Sequence, residues 1–170
     1  QSIDGYGGDV LWLLAQLDAG SSVRINCGGG DFRDSAENLW GRDRFFLGGE
    51  AVADRLKVGS PEDRPLHSRQ RKPVNWGDVP RGYRIPLPPG EYRLSLRFCE
   101  RHFLRGGHRV FAIRLEGEEV VKAYDPSGAG FATPDMKTWN VVVEDGLLDV
   151  VLVPRVGDPQ ISAIEVERVR

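Results

Sequence analysis

Cysteine, methionine and histidine are all scarce in this chain, with two, one and three residues among 170. Cys27 and Cys99 stand in strand-like segments with neither CxxC spacing nor a histidine cluster, which argues against a zinc framework, and no metal site is expected. The two thiols leave two readings open: small buried hydrophobes, or a single disulfide. No run of 18 apolar residues occurs, so no transmembrane helix is encoded, and no signal peptide is visible. The chain begins at Gln1, and the expectation is a module cut from a longer protein. Enzyme signatures are missing as well. There is no GxSxG elbow, Walker loop, HExxH or dinucleotide fingerprint, so neither a catalytic residue nor a cofactor is expected. A net charge of −2 argues against a general nucleic-acid binder.

That charge is unevenly spread. Residues 41–110 hold 15 Lys and Arg against 8 Asp and Glu, while the flanks are acidic. A basic middle attracts acidic ligands or is simply a solvated loop surface. Arginine outnumbers lysine 19 to 4, a bias that carries no functional inference.

The pattern that is present is almost all β. Val23, Ile25 and Cys27 alternate with Arg24 and Asn26, the two-residue period of a half-buried strand. That strand stops in Gly28-Gly29-Gly30, where the backbone is free to take positive φ or to pass close to another group. Tyr92, Leu94, Leu96 and Phe98 alternate with Arg93, Ser95 and Arg97 after the turn Pro88-Pro89-Gly90. Phe111, Ile113 and Leu115 lead through Glu116-Gly117-Glu118 into Val120-Val121, which reads as a hairpin. A second hairpin is expected from Val141–Val143, the turn Glu144-Asp145-Gly146 and Leu147–Val153. A last strand covers Ile161–Val169. Short strands separated by Gly, Pro and Asp turns predict an all-β sandwich or jelly roll spanning residues 22–170. Residues 1–21 differ: Val10, Leu13, Leu14 and Leu17 recur at helical spacing, predicting a short helical or irregular N-terminal extension or linker. Between Asp43 and Pro80 periodicity is weak, and a loop of that length inside a domain is a place to look for function.

Chemistry-bearing candidates are few. Glu100 and Asp158 would make a glycosidase pair only if about 5 to 9.5 Å apart, and a hydrogen-bonded or surface carboxylate is the commoner case. Asp31 and Asp34 have the spacing of Asx turns and, secondarily, of a calcium site. Trp76, in the polar loop Lys72–Asp78, and Phe103, after His102 at a strand end, are aromatics that the strand pattern does not place in the core. An aromatic ring offers a flat face to the C–H face of a sugar, while neighbouring polar groups bond its hydroxyls. Packing beneath the loops is the competing role for each ring.

The ordered series Arg24-Ile25-Asn26-Cys27-Gly28-Gly29, Leu39-Trp40 with Asp43, Gly48-Gly49, Gly82-Tyr83-Arg84-Ile85-Pro86, Gly90-Glu91-Tyr92, Leu96–Glu100, Arg109-Val110-Phe111, Leu115-Glu116-Gly117, Asp145-Gly146 and Ile161–Val166 resembles malectin and malectin-like domains over residues 22–169. The resemblance implies a galactose-binding-like jelly-roll β-sandwich acting as a non-catalytic module for an oligo- or polysaccharide. It also implies fusion to other domains in a larger bacterial, extracytoplasmic or secreted protein. The family's ligand-contacting positions fall on His102 and Phe103, on Asp158, near Trp76, and on Phe45 or Phe46. Arg69, Arg71 and Lys72 suggest an acidic glycan as a variant. The alternative is a protein–protein interaction or spacer domain with no sugar site, since a fold does not fix a function.

Overall fold

The computed structural model describes residues 3–53, 64–72 and 81–169. In chain order its elements are α1 (Ile3–Asp18), β1 (Val23–Asn26), β2 (Phe32–Arg33), β3 (Leu39–Trp40), β4 (Phe46–Leu47), β5 (Glu50–Ala53), α2 (Arg64–Ser68), β6 (Arg69–Lys72), β7 (Gly82–Pro86) and β8 (Gly90–Cys99). They continue with β9 (Val110–Leu115), β10 (Glu118–Tyr124), β11 (Pro134–Val143), β12 (Leu147–Val156) and β13 (Ala163–Arg168). Two antiparallel sheets dominate, one ordered β1-β13-β8-β11 and the other β10-β9-β12-β7-β4.

Alternation along each strand sends one row of apolar side chains inward. Tyr92, Leu94, Leu96 and Phe98 of β8 meet Tyr83 and Ile85 of β7, Phe111 and Ile113 of β9, and Leu148 and Val150 of β12 in one fully buried core. This is a β-sandwich, as the strand pattern predicts. The hairpin β9–β10 forms around Glu116 and Gly117, whose φ angles of 50° and 82° suit a two-residue turn between right-twisted strands.

The second expected hairpin does not form. β11 pairs with β8 in one sheet, while β12 pairs with β7 and β9 in the other. The turn at Glu144–Gly146 carries the chain across the sandwich, so Val141 and Val143 bury against the opposite sheet rather than beside β12. Both strands alternate in the same way whether they are ladder neighbours or face each other across a core, so periodicity cannot tell the two apart.

The N-terminal helix forms and packs against the sandwich. Leu13 is fully buried, Trp12 and Leu17 lie partly on the core, and Asp9 is buried 2.9 Å from Arg42 and 3.4 Å from Arg44. Leu14, expected on the inner face, is 39% exposed. Trp12 sets the helix rotation: it fits over Gly41, where a Cβ would come within 2.5 Å of its ring, and Arg44 covers it at 3.7 Å. Within the weakly periodic stretch, β5 and β6 pair as an antiparallel ladder.

Both cysteines are buried and free. Cys27 follows β1, Cys99 ends β8, and β13 lies between these strands. Two strand spacings separate the backbones by roughly 9.6 Å, beyond the span of a disulfide.

Candidate functional site

At one end of the sandwich three segments converge: the exit from β8, the entry to β9, and the stretch between β12 and β13. Glu100, the residue after β8, is fully buried and ties them together. One carboxylate oxygen accepts the backbone N–H groups of His102 at 2.8 Å and Phe103 at 3.1 Å, and the other accepts Arg109 Nε at 2.7 Å. Arg109, itself buried, also donates to the backbone carbonyl of Asp158. A buried carboxylate persists only with such a set of partners. The consequence is that the His102–Phe103 turn and the Gly157–Asp158 turn are held by one ion pair.

The third wall is β6. Its alternation turns Gln70 and Lys72 toward the same cleft, and Gln70 bonds the Cys99 carbonyl at 2.6 Å and Ser162 Oγ at 3.2 Å. Gln160 reaches the same carbonyl at 2.7 Å. Lys72 Nζ lies 3.3 Å from Asp158 Oδ2 and 3.9 Å from Glu50 Oε1. The glycine run fixes this strand's position. Gly28 takes φ +75°, and a Cβ there would sit 2.4 Å from the Gln70 carbonyl. Of the two roles open to these glycines, Gly28 fills both at once.

These walls enclose a cleft of about 270 Å³ lined by His102, Phe103, Asp158, Lys72, Gln70, Gln160, Arg101 and Arg109, with Val52 and Ala53 of β5. Phe103 is half-buried. His102 stands edge-on to it at 4.7 Å, His108 stacks on it at 5.2 Å, and the Arg109 guanidinium lies 5.3 Å from its centroid. A larger depression of about 690 Å³ opens at the far end, between the end of α1 and Arg93 and Arg168, but its described lining holds no aromatic ring.

The structure therefore brings together His102, Phe103 and Asp158. Phe45 and Phe46 do not join them. Phe45 is 3% exposed in the core, edge-on to Tyr6 of α1, and Phe46 lies under the Arg71 guanidinium at 3.6 Å. Trp76 falls outside the described residues. Arg71 is buried against Asp43 at 2.6 Å and bonds the Gly48 and Gly49 carbonyls, so of the three basic residues Arg69, Arg71 and Lys72, only Lys72 lines the cleft. Burial holds the Asp43 carboxyl above its usual range even though Arg71 and the Tyr83 hydroxyl, 2.8 Å away, oppose that shift. Burial likewise raises the Tyr83 phenol well above its ordinary value.

Glu100 has both oxygens engaged inside the protein, so it does not face Asp158 as a free carboxylate across a groove. Asp34 is an Asx-turn centre, accepting from the Ala36 and Asn38 amides, Asn38 Nδ2 and Trp40 Nε1. Burial works against its ionisation, but the Asn38 and Trp40 side-chain donors and the two amides prevail and hold its carboxyl below the usual value. Among the described residues no cluster of three or more His, Cys, Asp or Glu is arranged to hold a metal ion.

Sequence reasoning missed Arg109, Gln70, Gln160 and His108. The available signal for Arg109 was a charged residue entering an apolar strand, opposite a glutamate leaving one. The glutamines gave none, since their role depends on a carbonyl brought from elsewhere in the chain.

The architecture is that of an antiparallel β-sandwich domain with a loop cleft at the strand ends. A sequence model of the malectin domain matches residues 21–164, and the chain belongs to that family, which is known for carbohydrate binding. Malectin from Homo sapiens is 29% identical over 123 residues, covering 71% of this chain and 38% of that protein. Malectin-A from Xenopus laevis is 29% identical over 149 residues, covering 86% of this chain and 50% of its own length. The chain thus spans half or less of these relatives. Both are animal proteins and lend no support to the expected bacterial source. Among solved structures, a Bacteroides uniformis beta-glucuronidase shares the fold with TM-score 0.78 and 20% identity, over 89% of this chain and 18% of that one. The ANX2 ectodomain from Arabidopsis thaliana shares it with TM-score 0.75 and 18% identity, over 87% and 49%.

Proposed function

We propose that this chain is a non-catalytic carbohydrate-binding module whose ligand, an oligo- or polysaccharide, enters the cleft between the His102–Phe103 turn, Asp158 and β6. The observation that carries the reading is the placement of a half-buried aromatic ring beside an accessible carboxylate and ammonium on a buried ion-pair frame. Phe103 offers apolar surface to a sugar's C–H face, His102 extends it at the rim, and Asp158 and Lys72 bond hydroxyls. Trp76, four residues beyond Lys72, is assigned as a second stacking residue. Glu100, the carboxylate that the sequence offers as a glycosidase partner for Asp158, is fully engaged by Arg109 and two backbone amides, which supports binding rather than hydrolysis by that pair. Family membership supports an extracytoplasmic setting within a longer protein. No helix among the described residues is long and apolar enough to cross a membrane.

A glycan array probed with wild type, Phe103→Ala, Trp76→Ala and Asp158→Asn tests this. Selective binding by wild type, weakened about tenfold or more in the variants, is the expected result. Silence of the wild type across a broad array overturns the proposal in favour of an interaction or spacer domain.

A further inference from the structure

We infer that Lys72 and Asp158 act as a matched donor–acceptor pair that reads adjacent hydroxyls of a neutral sugar ring, and that Lys72 therefore sets specificity. The inference rests on the carbohydrate-binding reading of the cleft and names the ligand chemistry that the cleft selects. Lys72 Nζ and Asp158 Oδ2 are 3.3 Å apart, and both residues line the cleft. Their side chains are 27% and 44% exposed, so each keeps part of its hydrogen-bonding capacity for a ligand. An ammonium has three donors and a carboxylate only acceptors, whereas a hydroxyl both accepts and donates. Two neighbouring hydroxyls can therefore accept a hydrogen bond from Nζ and donate one to Oδ2 while the two charges stay paired.

The two carboxylates around Lys72 favour a neutral ligand over an acidic one at that point of the cleft. Lys72 is flanked by Glu50 at 3.9 Å as well as by Asp158. Of the neighbouring cations, Arg71 of β6 is neutralised by Asp43 at 2.6 Å, and Arg109 by Glu100 at 2.7 Å. An anionic sugar reaching Lys72 must approach two partly exposed carboxylates and displace one of them. A neutral diol does neither. Hydrogen bonds to charged partners that are lost when a ligand hydroxyl is deleted are the kind that discriminate strongly.

The test titrates isotope-labelled wild type, Lys72→Gln and Asp158→Asn by NMR with methyl glucoside, methyl galactoside and methyl mannoside, their monodeoxy analogues, and methyl glucuronoside. For the glycoside bound best by wild type, deletion of one hydroxyl is expected to weaken binding about tenfold. Lys72→Gln should weaken the parent glycoside similarly and bind parent and deoxy forms alike, while glucuronoside binds no better than its neutral counterpart. An unchanged parent-to-deoxy ratio in Lys72→Gln, with Phe103→Ala weakening binding on the array as expected, overturns the inference and leaves the carbohydrate-binding reading intact. Tighter binding of the glucuronoside that weakens as salt is raised overturns it in favour of an acidic glycan. Failure of wild type to bind any glycoside here or on the array removes both.

Discussion

Replacing Arg109 with methionine strips the guanidinium from Glu100 while filling most of its volume. Glu100 is fully buried and Arg109 is 5% exposed, so the substitution leaves a carboxylate in the interior with only the His102 and Phe103 amides for partners. Breaking a buried pair from one side costs about 3 to 5 kcal/mol. For a chain of this size that lowers Tm by roughly 6 to 20 °C, at about 2 to 4 °C per kcal/mol. The double variant Glu100→Gln with Arg109→Met removes both charges and keeps an acceptor for the two amides. It is expected to be more stable than Arg109→Met alone, with the two substitutions coupled by more than about 1 kcal/mol. Urea unfolding of all four proteins, read at constant m-value, gives these quantities. Glycan binding should stay weak in the double variant, since the Asp158 carbonyl still lacks its donor and Phe103 its guanidinium neighbour. A cost below about 1 kcal/mol for Arg109→Met, or simple additivity, refutes the assignment of this pair as the frame of the cleft.

Three further outcomes are expected. Gly28→Ala, at positive φ and facing the Gln70 carbonyl, should destabilise by about 1 to 3 kcal/mol, whereas Gly30→Ala, with nothing within 4 Å, should stay within about 0.5 kcal/mol; equal urea midpoints for the two would contradict the close approach of β6. Asp34 has a folded-state carboxyl below its ordinary value of 3.8, so its contribution is complete above that pH and is lost as pH falls through the lower, folded value. Wild type should therefore exceed Asp34→Asn in stability at neutral pH and converge with it in acid, and a gap independent of pH refutes the network. Burial raises the Cys27 thiol well above its ordinary value and pushes Cys99 up to about 11, so neither should react with iodoacetamide at pH 8 until the protein is denatured; labelling of the native protein would refute their burial.

What the sequence discloses depends on the range of the interaction. β8 is legible because its alternation is local and its inner row is uniformly apolar. β6 is not, since Arg69-Gln70-Arg71-Lys72 has no apolar period. Its position comes from the β5 ladder, the Asp43 carboxylate and two backbone bonds to Ile161, all of them distant in sequence or side-chain dependent. Helix α1 is legible as a helix, but its buried face is set by Asp9, Trp12 and Leu13, because Arg42 and Arg44 supply a partner for a buried carboxylate that hydrophobic spacing cannot foresee. At the site, His102, Phe103 and Asp158 could be located from ordered motifs. Lys72 stood out only as one of several positive charges, and its pairing with Asp158 spans 86 residues of chain.

The most direct test of the central claim is amide chemical-shift mapping of the wild-type chain during titration with the strongest glycan from the array. Shifts are expected to concentrate at Gln70, Lys72, His102, Phe103, Gly157 and Asp158, with the far end around Arg93 and Arg168 undisturbed. Shifts centred on that far end, with the cleft resonances unmoved, would contradict it.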